Sequence, residues 1–336
     1  MKIFVAGGTG CVGICLIKRL CQLSHEIVAL VRPTSNLNPL NEFRKKIEFV
    51  KGNILDKVLL NASLEGIDMV FHAAAELHPK KISDRVKERT YYVNVEGTRN
   101  LLEASLKNQI RQFIYFSSIG AMGDFYDNIR DEKSVCIPRS HYGKSKLLAE
   151  KLVMEYHKKK NMFVTILRPG LIYGPYDRGT VLKMIRYIDK GKFIMIGKGE
   201  NINNLVSVNN VVEAAISVMG DSSCNGEIFI VTDGKDYSLN EITGRIAKEL
   251  NVRLRGLYVP LPFAYLIGIS CDILRSILKI DTPFTLQNIK NFTHDAKYRI
   301  DKILIKTNFK PIISFHNGGI QEEINWYKEN FKNQNA

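Results

Sequence analysis

Tyr142 and Lys146 stand four residues apart in Tyr142-Gly143-Lys144-Ser145-Lys146, and Ser118 lies 24 residues before the tyrosine. Positions four apart share a helix face, so the ammonium can sit beside the phenol. A neighbouring cation favours phenolate and lowers the phenol pKa from about 10, which lets the hydroxyl exchange a proton near neutral pH. Ser118 can hydrogen-bond the same substrate oxygen and polarise it. The chemistry this predicts is proton transfer at an oxygen that alternates between carbonyl and alcohol, the companion step of hydride transfer. Such a spacing also occurs on ordinary exposed helices, so its meaning depends on what else the chain carries.

The N-terminus supplies that context. Gly7-Gly8-Thr9-Gly10-Cys11-Val12-Gly13 follows the apolar run Ile3-Phe4-Val5-Ala6 and precedes a helical pattern through Leu20. Gly7 suits a tight strand-to-helix turn, Gly10 lets the backbone approach a pyrophosphate, and Gly13 allows close helix packing. The helix would aim unpaired N–H groups and its positive end at phosphates, with Thr9, Cys11 and Val12 at the contact. Together, glycine loop, serine, tyrosine and lysine read as a nicotinamide-dependent oxidoreductase.

The elements that must position these residues follow an alternating pattern. Strands are expected at Lys2–Ala6, Glu26–Val31, Ile47–Lys51, Met69–His72, Gln112–Ser117 and Phe163–Leu167, with helices near Gly10–Gln22, Asp84–Lys107 and Tyr142–Lys159. Near-continuous apolar strands alternating with helices predict an α/β fold with a doubly wound, Rossmann-type parallel sheet covered on both faces. Beyond Leu171 the pattern loosens. Strands are expected at Val206–Val208 and Glu227–Val231, a helix at Asn210–Met219, then loops, the Pro260–Leu278 segment and a terminal helix near Gly318–Lys332. The expected division is a cofactor-binding domain of residues 1–170 plus about 205–231, and a smaller discontinuous substrate domain of about 171–204 and 232–336.

Composition narrows the classes. The 336 residues suffice for a well-buried core, and 45% hydrophobic with 24% charged residues is ordinary for a globular protein. No basic, apolar leader precedes the first strand, which predicts a cytoplasmic location. Six cysteines (Cys11, Cys15, Cys21, Cys136, Cys224 and Cys271) form no Cys-x-x-Cys pair, so neither a disulfide framework nor a metal site is expected. The net charge of +14 is dispersed in patches such as Arg44-Lys45-Lys46, Lys80-Lys81 and Lys158-Lys159-Lys160, which reads as solvated surface rather than a nucleic-acid interface. Attraction of anionic ligands follows from it. The apolar stretch Val259–Ile269 is broken by Pro260 and Pro262 and is too short to span a bilayer. A substrate-domain helix is expected there, a helix lying on a membrane surface being the alternative.

The glycines are spaced Gly-x-x-Gly-x-x-Gly, and ordered motifs follow: Gly52-Asn53-Ile54-Leu55-Asp56, His72-Ala73-Ala74-Ala75, Asn94-Val95-Glu96-Gly97-Thr98, Ser117-Ser118, Tyr142/Lys146, Arg168-Pro169-Gly170-Leu171-Ile172-Tyr173-Gly174-Pro175 and Trp326-Tyr327. Over nearly its whole length the chain resembles the extended short-chain dehydrogenase/reductase family, also called the NAD-dependent epimerase/dehydratase family. The resemblance implies that Asn53 and Ile54 contact adenine and that Ala73, Ala74 and Ala75 line the cofactor. It implies that Asn94 holds the active-site helix and its water, and that Pro169 to Ile172 meet the nicotinamide carboxamide. Lys146 would also hold the nicotinamide ribose, and a homodimer would form through the helices containing Asp84–Lys107 and Tyr142–Lys159. Counting back from Gly123 matches Ser118 to the family's catalytic hydroxyl, with Ser117 the competing and cofactor-side serine. Arg32 ends the second strand, where an acidic residue would bind a ribose 2′-hydroxyl; arginine favours a 2′-phosphate, hence NADP(H), with NAD(H) the alternative.

Departures from the family's patterns select among its reactions. Its nucleotide-sugar dehydratases carry Asp-Glu after the catalytic residue, where Ile119-Gly120 stand here and cannot transfer protons. Its epimerases often place an arginine before a strand that here reads Asn201-Ile202-Asn203-Asn204-Leu205-Val206, although Arg178 could substitute. Val31-Arg32-Pro33-Thr34-Ser35, Arg168-Pro169-Gly170 and the apolar Pro260–Ile280 region look like the dihydroflavonol reductase and hydroxysteroid dehydrogenase branch. The expectation is an NADP(H)-dependent carbonyl reductase or alcohol dehydrogenase for a fairly apolar small molecule. A sugar epimerase with tightly bound NAD is the alternative, and a cofactor-sensing regulator without turnover is the reading from another class. Such regulators typically lose the tyrosine or lysine, both present here.

Overall fold

The computed structural model describes residues 1–76, 84–123, 129–254, 256–278 and 285–332. Lys80-Lys81 and the end of the apolar region, Lys279-Ile280, lie outside the described residues. The first half runs β1 (Lys2–Ala6), α1 (Cys11–Gln22), β2 (Glu26–Val31), β3 (Ile47–Lys51), α2 (Lys57–Ser63), β4 (Met69–His72), α3 (Asp84–Tyr91), α4 (Gly97–Lys107), β5 (Gln112–Phe116), α5 (His141–Lys160) and β6 (Val164–Pro169). It continues with β7 (Leu171–Tyr173), α6 (Thr180–Asp189), β8 (Met195–Ile196), β9 (Ile202–Asn203), β10 (Leu205–Ser207), α7 (Val208–Ser217), β11 (Glu227–Val231), β12 (Tyr237–Ser238) and α8 (Leu239–Leu250). Then come β13 (Tyr258–Val259), α9 (Leu261–Leu278), α10 (Leu286–Thr293), α11 (Asp301–Lys306) and α12 (Gly319–Tyr327).

Seven strands form a parallel sheet in the order β11-β6-β5-β4-β1-β2-β3, the Rossmann-type α/β arrangement expected. Alternation along β1 explains its unbroken apolar sequence. Ile3 and Val5 enter one core with Ile14 and Ile17 of α1 and Val211 of α7, while Phe4 and Ala6 enter another with Leu101 of α4 and Ala149 of α5. All four are fully buried, because both faces of the sheet are covered. A third apolar cluster gathers Tyr173, Leu182, Ile185, Ile242, Ile246, Phe315 and Ile324 from the later elements.

The structure departs from expectation where the apolar pattern was weak or interrupted. The continuous helix expected over Asp84–Lys107 is divided by a π-helical turn at Tyr92–Glu96. The stretch read as loops after Val231 contains α8, a twelve-residue helix. Its start is fixed by a capping box, Ser238 Oγ accepting from the Glu241 N–H and the Glu241 carboxylate accepting from the Ser238 N–H. Leu239, Ile242, Ile246 and Leu250 supply its buried face. α6, likewise unanticipated, buries Val181, Leu182, Ile185 and Ile188. β5 ends at Phe116, one residue earlier than expected.

Candidate active site

The reversal of strand order falls between β1 and β4, where open α/β sheets place their ligands beyond the carboxyl ends. Gly7 leaves β1 with φ +87°, and a Cβ there would lie 2.6 Å from the Ala74 backbone nitrogen. Ala73 continues the pairing, its N–H donating to the Ala6 carbonyl at 2.9 Å. Gly13 is pressed still harder, since a Cβ would meet the Gly7 carbonyl at 2.1 Å. Gly10 differs: its one near neighbour is the Gly7 carbonyl at 3.4 Å, an ordinary contact. The protein itself does not require glycine there, which fits a position kept bare for close approach of a ligand.

The start of α1 supports the same reading. α2, α5, α7 and α8 cap their first turns with the side chains of Asp56, Ser140, Ser207 and Ser238. α1 follows Gly10, which offers no side-chain cap, and has no acid in its first turn, so its positive end is presented bare. The Thr9 and Ser35 hydroxyls are 3.0 Å apart, and the Ser35 N–H donates to the Arg32 carbonyl. These bonds tie the glycine loop to the turn carrying Arg32, whose exposed guanidinium has no partner among the described residues. Cys11 donates to the Pro175 carbonyl, and burial raises its thiol pKa, so it is an inert part of the loop. The loop, the bare helix end and the alanines after β4 fit a dinucleotide.

Two residues assigned to the adenine end take different positions. Asn53 is exposed, its Oδ1 accepting the Leu55 N–H at 3.1 Å with one lone pair to spare. Ile54 is buried and packs on Gly97, where a Cβ would lie 2.7 Å from its Cγ2. Its side chain therefore belongs to the core, which leaves backbone as its means of contact.

The reactive end assembles on β5 and α5. Ser140 caps α5 by accepting the Gly143 N–H at 3.0 Å, which fixes Tyr142 in the first turn. Ser118, just beyond β5, accepts the Gly120 N–H at 3.0 Å, and its hydroxyl stands beside the Tyr142 phenol. Gly120 lies between them: a Cβ there would stand 3.3 Å from Ser118 Oγ and 3.6 Å from the tyrosine ring. Ser117 points the other way. Buried, it donates to Glu150 at 2.5 Å, and Glu150 forms a two-bond pair with Arg168 at 2.9 and 2.6 Å. The structure thus brings Ser118, not Ser117, to Tyr142.

Lys146 is almost completely buried, donates to the Phe116 carbonyl at 2.6 Å and lies 4.2 Å from the Tyr115 ring centroid. Burial lowers its pKa to about 7, against an opposing pull from Glu150. Burial raises the Tyr142 phenol to about 12, the hydrogen bond with Ser118 acting in the other direction. The expected lowering of the phenol by its neighbour is therefore not found. Desolvation outweighs a lysine whose own charge is suppressed and whose Nζ is engaged by a carbonyl.

Asn94 sits in the π-helical turn and is buried. Its amide accepts the Glu76 N–H at 2.7 Å, donates to the Glu76 carbonyl at 3.3 Å, and donates to Ser145 Oγ at 2.9 Å. Ser145 in turn donates to the Tyr142 carbonyl at 2.8 Å. Asn94 thus clamps the start of α5 to the chain leaving Ala75. Below it, His72 shares a hydrogen bond of 2.8 Å with Thr98, whose hydroxyl donates to the Asn94 carbonyl. Burial, then Lys146, lowers the His72 pKa to about 3, so the ring is a neutral strut. Ser145, Glu150 and the Phe116 carbonyl were not anticipated from sequence, although Glu150 lies one further turn along the helix from Lys146. Pro169 closes β6 opposite Val231, and Ile172 pairs with Val206 in the short β7–β10 ladder.

A parallel seven-stranded sheet with this glycine loop at its switch point defines a nicotinamide-dinucleotide type of α/β enzyme. The model of the NAD-dependent epimerase/dehydratase family matches residues 3–231, and the chain belongs to that family. It is 32% identical over 254 residues to the N-acetyl-alpha-D-glucosaminyl-diphospho-ditrans,octacis-undecaprenol 4-epimerase of Escherichia coli O157:H7, covering 75% of this chain and 76% of the relative. The UDP-glucose 4-epimerase of Vibrio cholerae is 30% identical over 302 residues, 86% of this chain and 89% of that one. Among solved structures, dTDP-glucose 4,6-dehydratase DesIV of Streptomyces venezuelae, with NAD and TYD bound, superposes with a TM-score of 0.80 at 23% identity, covering 98% of both chains. That likeness is one of fold.

Proposed function

We propose that this enzyme transfers a hydride between a nicotinamide cofactor and a secondary carbinol carbon, with Tyr142 exchanging the hydroxyl proton and net carbonyl reduction as the reaction. The observation that carries this reading is the Ser118–Tyr142 pair across Gly120, with no carboxyl group in the adjoining turn Ile119–Ala121. When bound, the cofactor supplies or accepts the hydride. Gly7, Thr9, Gly10, Cys11, Val12 and Gly13 would hold its pyrophosphate, Asn53 and Ile54 its adenine, and Ala73, Ala74 and Ala75 its flank. Ser117, Pro169 and Ile172 would border its nicotinamide end, and Lys146 its ribose.

A phenol with a pKa of about 12 is protonated at neutral pH, so Tyr142 is poised as an acid toward an oxygen gaining negative charge. Ser118 donates to that same oxygen, and Asn94 with Ser145 holds the tyrosine's turn in place. The unpartnered Arg32 beside the glycine loop supports NADP(H) over NAD(H). The side chains of Asn201, Asn203 and Asn204 bond to Phe292, Asn201 and Asp236, and none of these neutral amides supplies the charge of a diphosphate-binding arginine, which supports a less polar substrate. The later elements around the third apolar cluster would form the substrate domain. Exposed Tyr91, Tyr92, Leu106 and Leu148 support a homodimer through α3, α4 and α5.

A second reading, epimerisation of a sugar carried on a diphosphate, is favoured by two relatives of 30% identity or more that are named as 4-epimerases. It uses the same tyrosine to take and return one proton. The test mixes the purified protein with NADPH or NADH and a panel of ketones, following nicotinamide absorbance. Consumption of NADPH supports the reductase. Redox-neutral interconversion of a glycosyl diphosphate, with nicotinamide retained through purification and no consumption on any ketone, overturns it in favour of epimerisation.

A further inference from the structure

α9 has two unlike faces. Ala264 is buried, and Gly268 packs so tightly on α10 that a Cβ would lie 2.8 Å from Ile289 Cδ1 and 3.1 Å from the Leu286 backbone. Asp272 turns to the same side, its carboxylate accepting the Leu286 N–H at 3.1 Å. On the other side stand Phe263, Leu266, Ile267, Ile273 and Leu274, each between 46 and 62% exposed. Spacings of three, four and seven residues place them on one stripe, with the exposed Ser270 among them. Leu257 and Tyr258, about half exposed, lie just ahead of α9, Tyr258 in the strand that pairs with β8. The approaches to this two-stranded ladder are basic: Lys190 and Lys192 before β8, and Arg253 before β13, all exposed. Asp189, the acid beside them, is matched by Lys332 at 2.8 Å and by the Tyr327 hydroxyl.

We propose that α9 and the β8–β13 ladder form a docking surface for an anionic lipid bilayer. A contiguous apolar face of this kind marks an interaction surface, and the charge around it selects the partner. A second copy of the chain seated on this face would bring its own lysines and arginine up against these. An anionic bilayer offers the complementary charge, and each lysine or arginine near its surface strengthens attachment roughly five-fold. No helix among the described residues is long and apolar enough to cross a membrane. α9 would therefore lie in the interfacial plane, with Phe263, Leu266 and Ile273 inserted and its Gly268 side held on α10. The carboxylate that would oppose insertion is already turned inward.

Flotation of the whole protein with phosphatidylcholine vesicles, with and without phosphatidylglycerol, tests this. The protein should float with the anionic vesicles, remain below with the neutral ones, and be released as salt rises. Leu266→Glu/Ile273→Glu should reduce the floating fraction about ten-fold or more through loss of apolar insertion. Lys190→Gln/Arg253→Gln should weaken vesicle binding by roughly 25-fold, two cations lost at the five-fold each. Circular dichroism and turnover of a water-soluble ketone serve as folding controls, since all four side chains are surface groups. Wild-type protein that ignores anionic vesicles at low salt overturns the proposal, as does flotation unchanged by Leu266→Glu/Ile273→Glu. If the wild type ignores vesicles and that variant converts a dimer to a monomer, the face belongs to a second copy.

Discussion

Two neighbouring parts of this molecule use the same residue types to opposite ends. At the first turn of α5, Ser118 and Tyr142 face each other across a glycine, in an opening that leaves the tyrosine half-buried. Two turns further along the same helix, Ser117, Glu150 and Arg168 form a sealed seam that ties α5 to β6. Adjacent serines in extended backbone point to opposite sides, so one reaches the crevice and the other the interior. Burial then gives the two polar sets different properties. In the crevice, two neutral hydroxyls border the opening; in the seam, the carboxylate and guanidinium are committed to one another, because a buried charge without a partner is costly.

Substitutions should separate the two regions. Tyr142→Phe should lower turnover about a thousandfold or more while leaving cofactor affinity and thermal stability near wild type. Steady-state rates with a cofactor titration check this, and substantial surviving turnover would end the assignment of proton transfer to Tyr142. Glu150→Ala should act in the reverse sense, removing about 3 kcal/mol of stability by stranding the Arg168 guanidinium in the interior, as read by denaturant unfolding.

Lys146 links the regions and gives a pH signature. Its folded pKa of about 7 lies below its ordinary value of 10.5, so between these values the unfolded chain binds the additional proton. Wild-type stability should therefore rise with pH across that window. Lys146→Met removes the titrating group, so in the cofactor-free protein the variant should gain on wild type as pH falls from 10.5 to 7, by an amount on the order of a few kcal/mol. Unfolding curves at pH 6 and pH 10 measure it. A difference between variant and wild type that stays the same at both pH values would mean that the ammonium remains charged in the fold. The smallest effect, and the most discriminating for the contrast, comes from the two serines. Ser118→Ala should cost about a hundredfold in turnover with unchanged stability. Ser117→Ala should cost about 1 kcal/mol of stability and leave the rate nearly unchanged. Exchange of these two phenotypes would reverse the assignment of crevice and seam.

Much of the first half was legible from the chain because its signals are local. Apolar runs of four to six residues, separated by glycine-marked turns and amphipathic helices, allow one covered parallel sheet, and β1 to β4 fall where that pattern puts them. α8 was legible as well, in the Ser238–Glu241 capping box and the Leu239, Ile242 and Ile246 spacing, but the surrounding short strands obscured it. The π-helical turn that delivers Asn94 has no comparable signal. It depends on contacts with Glu76 and Ser145, eighteen and fifty-one residues away.

The sequence by itself determined the kinds of group available: a glycine loop after a buried strand, a serine, a tyrosine and a lysine at helical spacing, and no acid beside the serine. Those properties rest on residue identity and on separations within one element, which the chain carries directly. Only the tertiary structure decided which serine meets the tyrosine, that burial lowers the lysine's pKa to about 7, and that one side of α9 is left uncovered. Each of these depends on how much water the fold removes from a group, and desolvation is set by segments distant in sequence.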